Sequence, residues 1–347
     1  MGAIIAFAAR SDIETVQRRF AWVWSSAGWL VFATGLFGYY AATAINVPVP
    51  RPIIVATCTA LIALPFLMTA GRRAIASPTH LNWKFAVASL GLLVFPIVAF
   101  ASWSEPSPRT DDGLPVRVMS YNLHQGFDVD GRLRLEEMAR VIESQDPDVV
   151  GLQEVSRGWV INDSIDVLEW LPQRLDMPYA WGPAADSAWG NAVLTRLPIS
   201  SVEIIDMPNN DDILMDRSFM AVGVDIGSGE ILTVIATHFH FRAADSRHRI
   251  PQSQAVIDYW GGARRTVLLG DLNARPTDLE MTMLADAGMR DAFIASGAEA
   301  PGHTWAAPEP FKRIDYIWTS ADLKARDFVT VDTVVSDHLA VAATIYR

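Results

Sequence analysis

Two kinds of hydrophobic patterning divide this chain of 347 residues. In the first part the apolar residues run without interruption. No charge falls between Arg19 and Arg51, and 21–45 is apolar, with Trp22, Trp24 and Trp29 near one end and Tyr39 and Tyr40 near the other. Two more uncharged runs follow at 52–71 and 85–104. Each has about the 20 residues that carry a helix across a bilayer. Pro65 and Pro96 would break buried helices of a soluble domain, whereas neighbouring helices accommodate prolines inside membranes. The pattern predicts three transmembrane α-helices, at about 21–45, 52–71 and 85–104. A cleaved signal peptide fits poorly, because two further spans follow the first.

Beyond residue 115 the runs shorten to strand and helix periods. Val116–Asn122 reads as a strand, followed by turn residues at Gln125-Gly126 and Asp130-Gly131. Leu135, Met138, Ala139 and Ile142 repeat at helical spacing until Asp146-Pro147 stops them. Apolar strands are expected at 149–154, 190–198, 231–238, 266–270, 313–318 and 339–346, and another begins after Asp216-Arg217. A helix over 249–260 is halted by Gly261-Gly262. Thr277 and Glu280 have capping-box spacing, which predicts a helix from there to Gly288. The expected organisation is a membrane domain at 1–104, a polar, proline-rich linker at 105–114, and a second domain at 115–347.

Charge adds orientation. Arg10, Arg18 and Arg19 precede the first span and only Arg51 follows it; Arg72, Arg73 and Lys84 separate the second and third, and Arg109 follows the third. This alternation puts the N-terminus in the cytoplasm and the large C-terminal domain outside it. All but seven of the 28 basic residues and all but two of the 39 acidic ones lie after residue 104, so that part carries a formal charge of −16. Such a surface repels nucleic acid unless a basic stripe offsets it, and the sequence contains none. A single cysteine, Cys58, excludes an intrachain disulfide.

The candidate chemistry sits where strands end. Asp271 and Asn273 follow an apolar run at alternate positions, so both project to one face of an extended chain. Gly270 lets the backbone pass close to whatever they hold. A carboxylate and an amide so placed can hold a hard cation beside a phosphate, although the same pair alone often caps a turn. Asn122 and Glu154 end two strands joined by a helix, which predicts neighbouring strands and a shared edge. Asp315 lies within an apolar strand, where an unpaired carboxylate is costly. A histidine held by it would compensate that cost and present positive charge to a phosphate.

In order along the chain, Asn122, Gln153-Glu154, Thr237-His238, Gly270-Asp271-Leu272-Asn273, Arg313-Ile314-Asp315-Tyr316 and Ser336-Asp337-His338 resemble the signature of the endonuclease/exonuclease/phosphatase superfamily, over about 115–347. The resemblance implies an α/β fold, the four-layer α/β/β/α sandwich of deoxyribonuclease I, and a metal-dependent phosphodiesterase. It implies Glu154 as main ligand of Mg²⁺ or Mn²⁺, assisted by Asn122 and Asp337. Asp271 would deprotonate the attacking water, and Asn273 would hold a phosphate oxygen. His338, paired with Asp315, would stabilise the pentacovalent phosphorane or protonate the leaving group, with His238 on the other side of the phosphate. Asn191 and Arg217 match weaker family positions, where a phosphate contact and a structural role are equally open. His124 and His240 read as rim side chains, and Trp159, Trp170, Trp181 and Trp189 as packing residues more than as an apolar wall for lipid. The stretches 122–131 and 145–154 are also similar to the C-terminal domain of GPI-anchor lipid-remodelling proteins, which pair membrane spans with this fold. The expected partner is therefore the bilayer, and the expected substrate a lipid or glycolipid head group. An extracytoplasmic nuclease is the alternative.

Overall fold

The computed structural model describes residues 26–38, 56–61, 94, 98, 104–110, 113–159, 162, 165–208, 215–241 and 246–347. The chain divides into two compact units, 1–103 and 104–347. In the first, 26–38 and 56–61 are helical, inside the first two expected spans. Among the described residues no helix is long and apolar enough to cross a membrane. Apart from 94, 98 and 104 in the third, the remainder of the three expected spans, and the basic residues expected to orient them inside the first unit, lie outside the described residues.

The second unit is built on strands with two apolar faces. In β1 (Val116–Asn122), Val116 and Val118 join one core while Met119 and Tyr121 join another. A strand patterned this way must be covered on both sides. Two six-stranded sheets satisfy the requirement. The first runs β11 (Lys324–Val331), β12 (Ala340–Tyr346), β1, β2 (Val149–Ser156), β4 (Trp189–Thr195), β3 (Tyr179–Asp186). The second runs β5 (Ile199–Asp206), β6 (Ser218–Asp225), β7 (Ile231–His238), β8 (Thr266–Asp271), β10 (Asp315–Thr319), β9 (Arg290–Asp291). Val118, Val149 and Val341 of the first sheet meet Val222, Val234 and Val267 of the second in the central core. The sheets approach so closely that a Cβ at Gly151 would lie 2.9 Å from Cβ of Leu269. Helices α1 (Leu135–Gln145) and α2 (Val167–Leu175) cover the outer face of the first sheet. Helices α3 (Ser246–Trp260) and α4 (Leu279–Asp286) cover that of the second. This is the expected four-layer α/β/β/α sandwich.

Three departures from the sequence reading have local causes. Strand β5 was not anticipated because its middle residues 200–204 are all exposed on a sheet edge, so no apolar alternation marks it. Strand β11 carries an irregular register between Arg326 and Val329, which breaks the period of two. The capping box at Thr277 and Glu280 does not form. Helix α4 starts after Asp278, and Glu280 turns inward, wholly buried, to accept from Nε of Arg249 at 2.9 Å. In the expected linker, Arg109 donates its backbone N–H to the carbonyl of Arg196 and pairs its guanidinium with Asp148, so this part of the tether packs on the second unit.

Candidate active site

One sheet edge collects nearly every residue singled out above. The parallel pairs β1–β2 and β7–β8 end there, and the antiparallel strands β10 and β12 begin there. Register then places Asp315 opposite Asp271, His238 beside Asp271, and Asn122 beside Gln153. A register shift in β2 between Leu152 and Val155 accompanies a left-handed backbone at Glu154, with φ of +53°. Gly270 serves a neighbour rather than a ligand: a Cβ there would lie 2.4 Å from the carbonyl oxygen of Thr237 on β7.

Asp271 is the hub. It is 1% exposed, and its Oδ1 accepts the backbone N–H of Asn273 at 2.9 Å. Its Oδ2 accepts from Nδ2 of Asn122 at 3.1 Å and faces Nε2 of His238 at 3.3 Å and Nε2 of His338 at 3.6 Å. Burial pushes its carboxyl up to about 7, and the Asp315 charge adds to this against the opposing pull of His338.

The two histidines are driven in opposite directions. His338 lies 2.9 Å from Oδ2 of Asp315 through Nδ1. Burial works against its charged form, but the charges of Asp315 and Asp271 outweigh it and hold the ring at about 10. His238 faces Nη1 of Arg217 through Nδ1 at 3.0 Å. A guanidinium can only donate, so Nδ1 accepts and the ring proton sits on Nε2, toward Asp271. Burial first, then the charges of Arg217 and His338, hold His238 well below its ordinary value. A carboxylate therefore lies between a neutral imidazole N–H and an imidazolium, the separation of proton affinities expected of acid–base chemistry.

Asp271, Asp315 and His338 bring one ligand atom each within 4.8 Å of one another, close enough to surround an ion. A protonated imidazole has no lone pair to give, so this trio is arranged for proton and charge handling. The hard-oxygen donors left for Mg²⁺ or Mn²⁺ are Glu154, Asn122 and Asp337. They fit such an ion: Oδ1 of Asp337 is buried without a hydrogen-bond partner, and Oε2 of Glu154 is steered by Nε2 of Gln125 at 3.3 Å.

The remaining expectations divide. Arg217 is 3% exposed, its guanidinium lies 5.1 Å from the Trp189 ring centre, and burial lowers it to about 10 despite the charges of Glu154 and Asp271. Asn191 donates to the carbonyl of Ser218, tying β4 of one sheet to β6 of the other. Asn273 uses its amide on the carbonyl of Phe239 at 3.2 Å. Trp189 is buried and stacks on Trp159, so these two tryptophans pack behind His238. His124 faces the Phe127 carbonyl and stands 3.9 Å from Asp337. Three supporting contacts carried no sequence signal: Gln125 on Glu154, Trp305 Nε1 on Oδ2 of Asp337 at 3.2 Å, and the Thr304 hydroxyl accepting from the backbone of Asp315.

A two-sheet sandwich with an Asp–His–Asn cluster at one edge defines a protein of the phosphoester hydrolase class. The chain belongs to the Endonuclease/Exonuclease/phosphatase family, whose pattern matches residues 119–338. Solved structures agree. An endonuclease/exonuclease/phosphatase from Beutenbergia cavernae is 25% identical, with a TM-score of 0.58 over 66% of this chain and 71% of its own. The Bacteroides thetaiotaomicron mannosyl-6-phosphatase is 17% identical, with a TM-score of 0.57 over 67% of this chain and 100% of its own. D. rerio TDP2 complexed with single-strand DNA product is 21% identical, with a TM-score of 0.52 over 67% of this chain and 99% of its own. No curated protein sequence matches the chain.

Proposed function

We propose that this protein is a membrane-anchored, metal-dependent phosphodiesterase whose C-terminal domain works outside the cytoplasm on a lipid or glycolipid head group. The observation that carries the hydrolytic reading is Asp271, raised to about 7 between neutral His238 and protonated His338. A base of that strength takes a proton from water near neutral pH. The water oxygen attacks phosphorus, the ester P–O bond breaks, and the imidazolium of His338 gives charge or a proton to the departing oxygen. A non-bridging oxygen of the same phosphate would come within reach of the Nε2–H that His238 turns toward Asp271, with Arg217 behind the ring. Glu154, Asn122 and Asp337 would hold Mg²⁺ or Mn²⁺, which supplies further positive charge against the phosphate.

Support for a lipid comes from the rim. Val129, Leu133, Phe241, Phe311 and Val334 are exposed, and all lie on loops at the sheet edge that carries the site. Apolar tips around a cleft suit a lipid surface. The charge of −16 beyond residue 104 disfavours a nucleic acid. The test is a panel of phospholipid vesicles, GPI-like glycolipid, DNA and an aryl phosphodiester, with Mg²⁺, with chelator and with Asp271→Ala. Hydrolysis of lipid, lost with chelator and with the variant, is expected. DNA cleavage with every lipid intact would replace the lipid reading by a nuclease.

A further inference from the structure

The antiparallel register of β8 and β10 brings two cations together at the rim. Asp271 pairs with Asp315, and the N–H of Leu272 bonds to the carbonyl of Ile314, so the chain beyond Asn273 runs beside the chain before Arg313. Arg275 and Lys312 lie near enough to each other there for the Arg275 charge to act on the Lys312 ammonium. Arg275 is exposed and Lys312 partly so. Lys312 is fixed: its backbone pairs with that of Trp305, and Nζ sits 4.3 Å from the Trp305 ring centre and 5.0 Å from that of Phe311. The same Trp305 donates to Asp337 and bridges the backbone of His338, so the ammonium is braced against the catalytic segment.

These cations lack what their neighbours have. In this acidic domain Arg134, Arg140, Arg174 and Arg196 are all paired with carboxylates. Among the described residues neither Arg275 nor Lys312 makes an ion pair. Burial, then the nearby Arg275 charge, already disfavours the charged form of Lys312. The nearby carboxylate of Asp278 is engaged by the backbone N–H of Arg275 at 2.7 Å rather than by either cation's side chain, which leaves two like charges side by side that an external anion would neutralise.

We propose that Arg275 and Lys312 form a second anion subsite, which takes a phosphomonoester carried on the same head group as the scissile ester. The inference rests on the phosphodiesterase reading and narrows its substrate class to polyanionic head groups. A phosphate there would bind Nζ of Lys312 from the side away from the indole and the guanidinium of Arg275 through two N–H groups.

The test compares substrates that differ by one phosphate, using the full chain. Calorimetry measures binding of inositol monophosphate against inositol bisphosphate. Hydrolysis is followed on vesicles of phosphatidylinositol against phosphatidylinositol monophosphate in phosphatidylcholine. The extra phosphate should improve the dissociation constant and kcat/KM by roughly ten-fold. Lys312→Met keeps the apolar stem on Trp305 and should bring both ratios close to one, while Lys312→Arg should retain them. Equal affinity for the two inositol phosphates in the wild type, or a ratio untouched by Lys312→Met, overturns the subsite. If no vesicle lipid is hydrolysed but the binding ratio depends on Lys312, the subsite stands and the lipid reading falls.

Discussion

Asn122 of β1 donates to Oδ2 of Asp271 at the end of β8, 3.1 Å away across 149 positions of sequence. The two residues belong to different sheets, so this one bond joins the sheet that carries Glu154 to the sheet that carries His238. The site exists only while both sheets hold their registers and pack through the central core. Asp271 feels the consequence most, because the same packing removes it from water.

Activity should follow a bell in pH. Asp271 works when ionised and His338 when protonated, so kcat should rise through about pH 7 and fall near pH 10. In Asp315→Asn the ring of His338 loses the charge that contributes most to its elevation. The alkaline limb should then move down by about one pH unit or more. Profiles of both proteins decide the point, and an unmoved alkaline limb removes His338 from the acid role.

Stability should show the cost of burying Asp271. Its folded-state value lies above the unfolded one, at about 7 against 3.8. The penalty is therefore absent below the unfolded value, grows as pH rises through that window, and is complete above about 7. Asp271→Asn should melt a few degrees higher than the wild type at pH 8, with a smaller gain at pH 5, and lose hydrolysis. Circular dichroism melts at the two pH values check this. A variant less stable at both would show that the charge is compensated in the folded state.

Glu154→Gln preserves shape and removes one negative charge from the cation donors. Mg²⁺ affinity should fall by roughly 10- to 100-fold, with a matching rise in the Mg²⁺ concentration needed for activity. Isothermal calorimetry with Mg²⁺ alone reads the affinity independently of turnover. Unchanged binding would move the ion to other donors.

The Arg249–Glu280 pair is wholly buried on both sides, between α3 and α4. Glu280→Ala takes the carboxylate from Nε of the buried Arg249 and should destabilise the domain by about 1–3 kcal/mol. Combining Arg249→Met with Glu280→Leu should recover much of that loss. Urea unfolding of the three proteins measures both. A single variant as stable as the wild type would mean that Arg249 finds another acid.

Much of the fold was legible because strands and helices here obey simple periods. Val116–Asn122 and Ile231–His238 have the expected bounds, and Leu135, Met138, Ala139 and Ile142 all face the core. Edge strand β5 was invisible, since an exposed strand leaves no pattern to read. Glu280 misled because a capping box and a buried ion pair can share the same spacing, and only the position of Arg249 distinguishes them.

The sequence by itself determined which groups are present at the edge, their order, and the family to which they belong. That information is local: each motif ends or begins a strand, and strand ends are written in neighbouring residues. Tertiary structure alone decided what those groups do to one another. Whether His238 is neutral and His338 charged depends on Arg217 and Asp315, each more than twenty positions away in sequence but within 3.0 Å in space. Whether Lys312 meets an acid or another cation depends on the register of β8 against β10. Proton affinity and charge pairing are set by distance and burial, and these follow from how the two sheets close on each other.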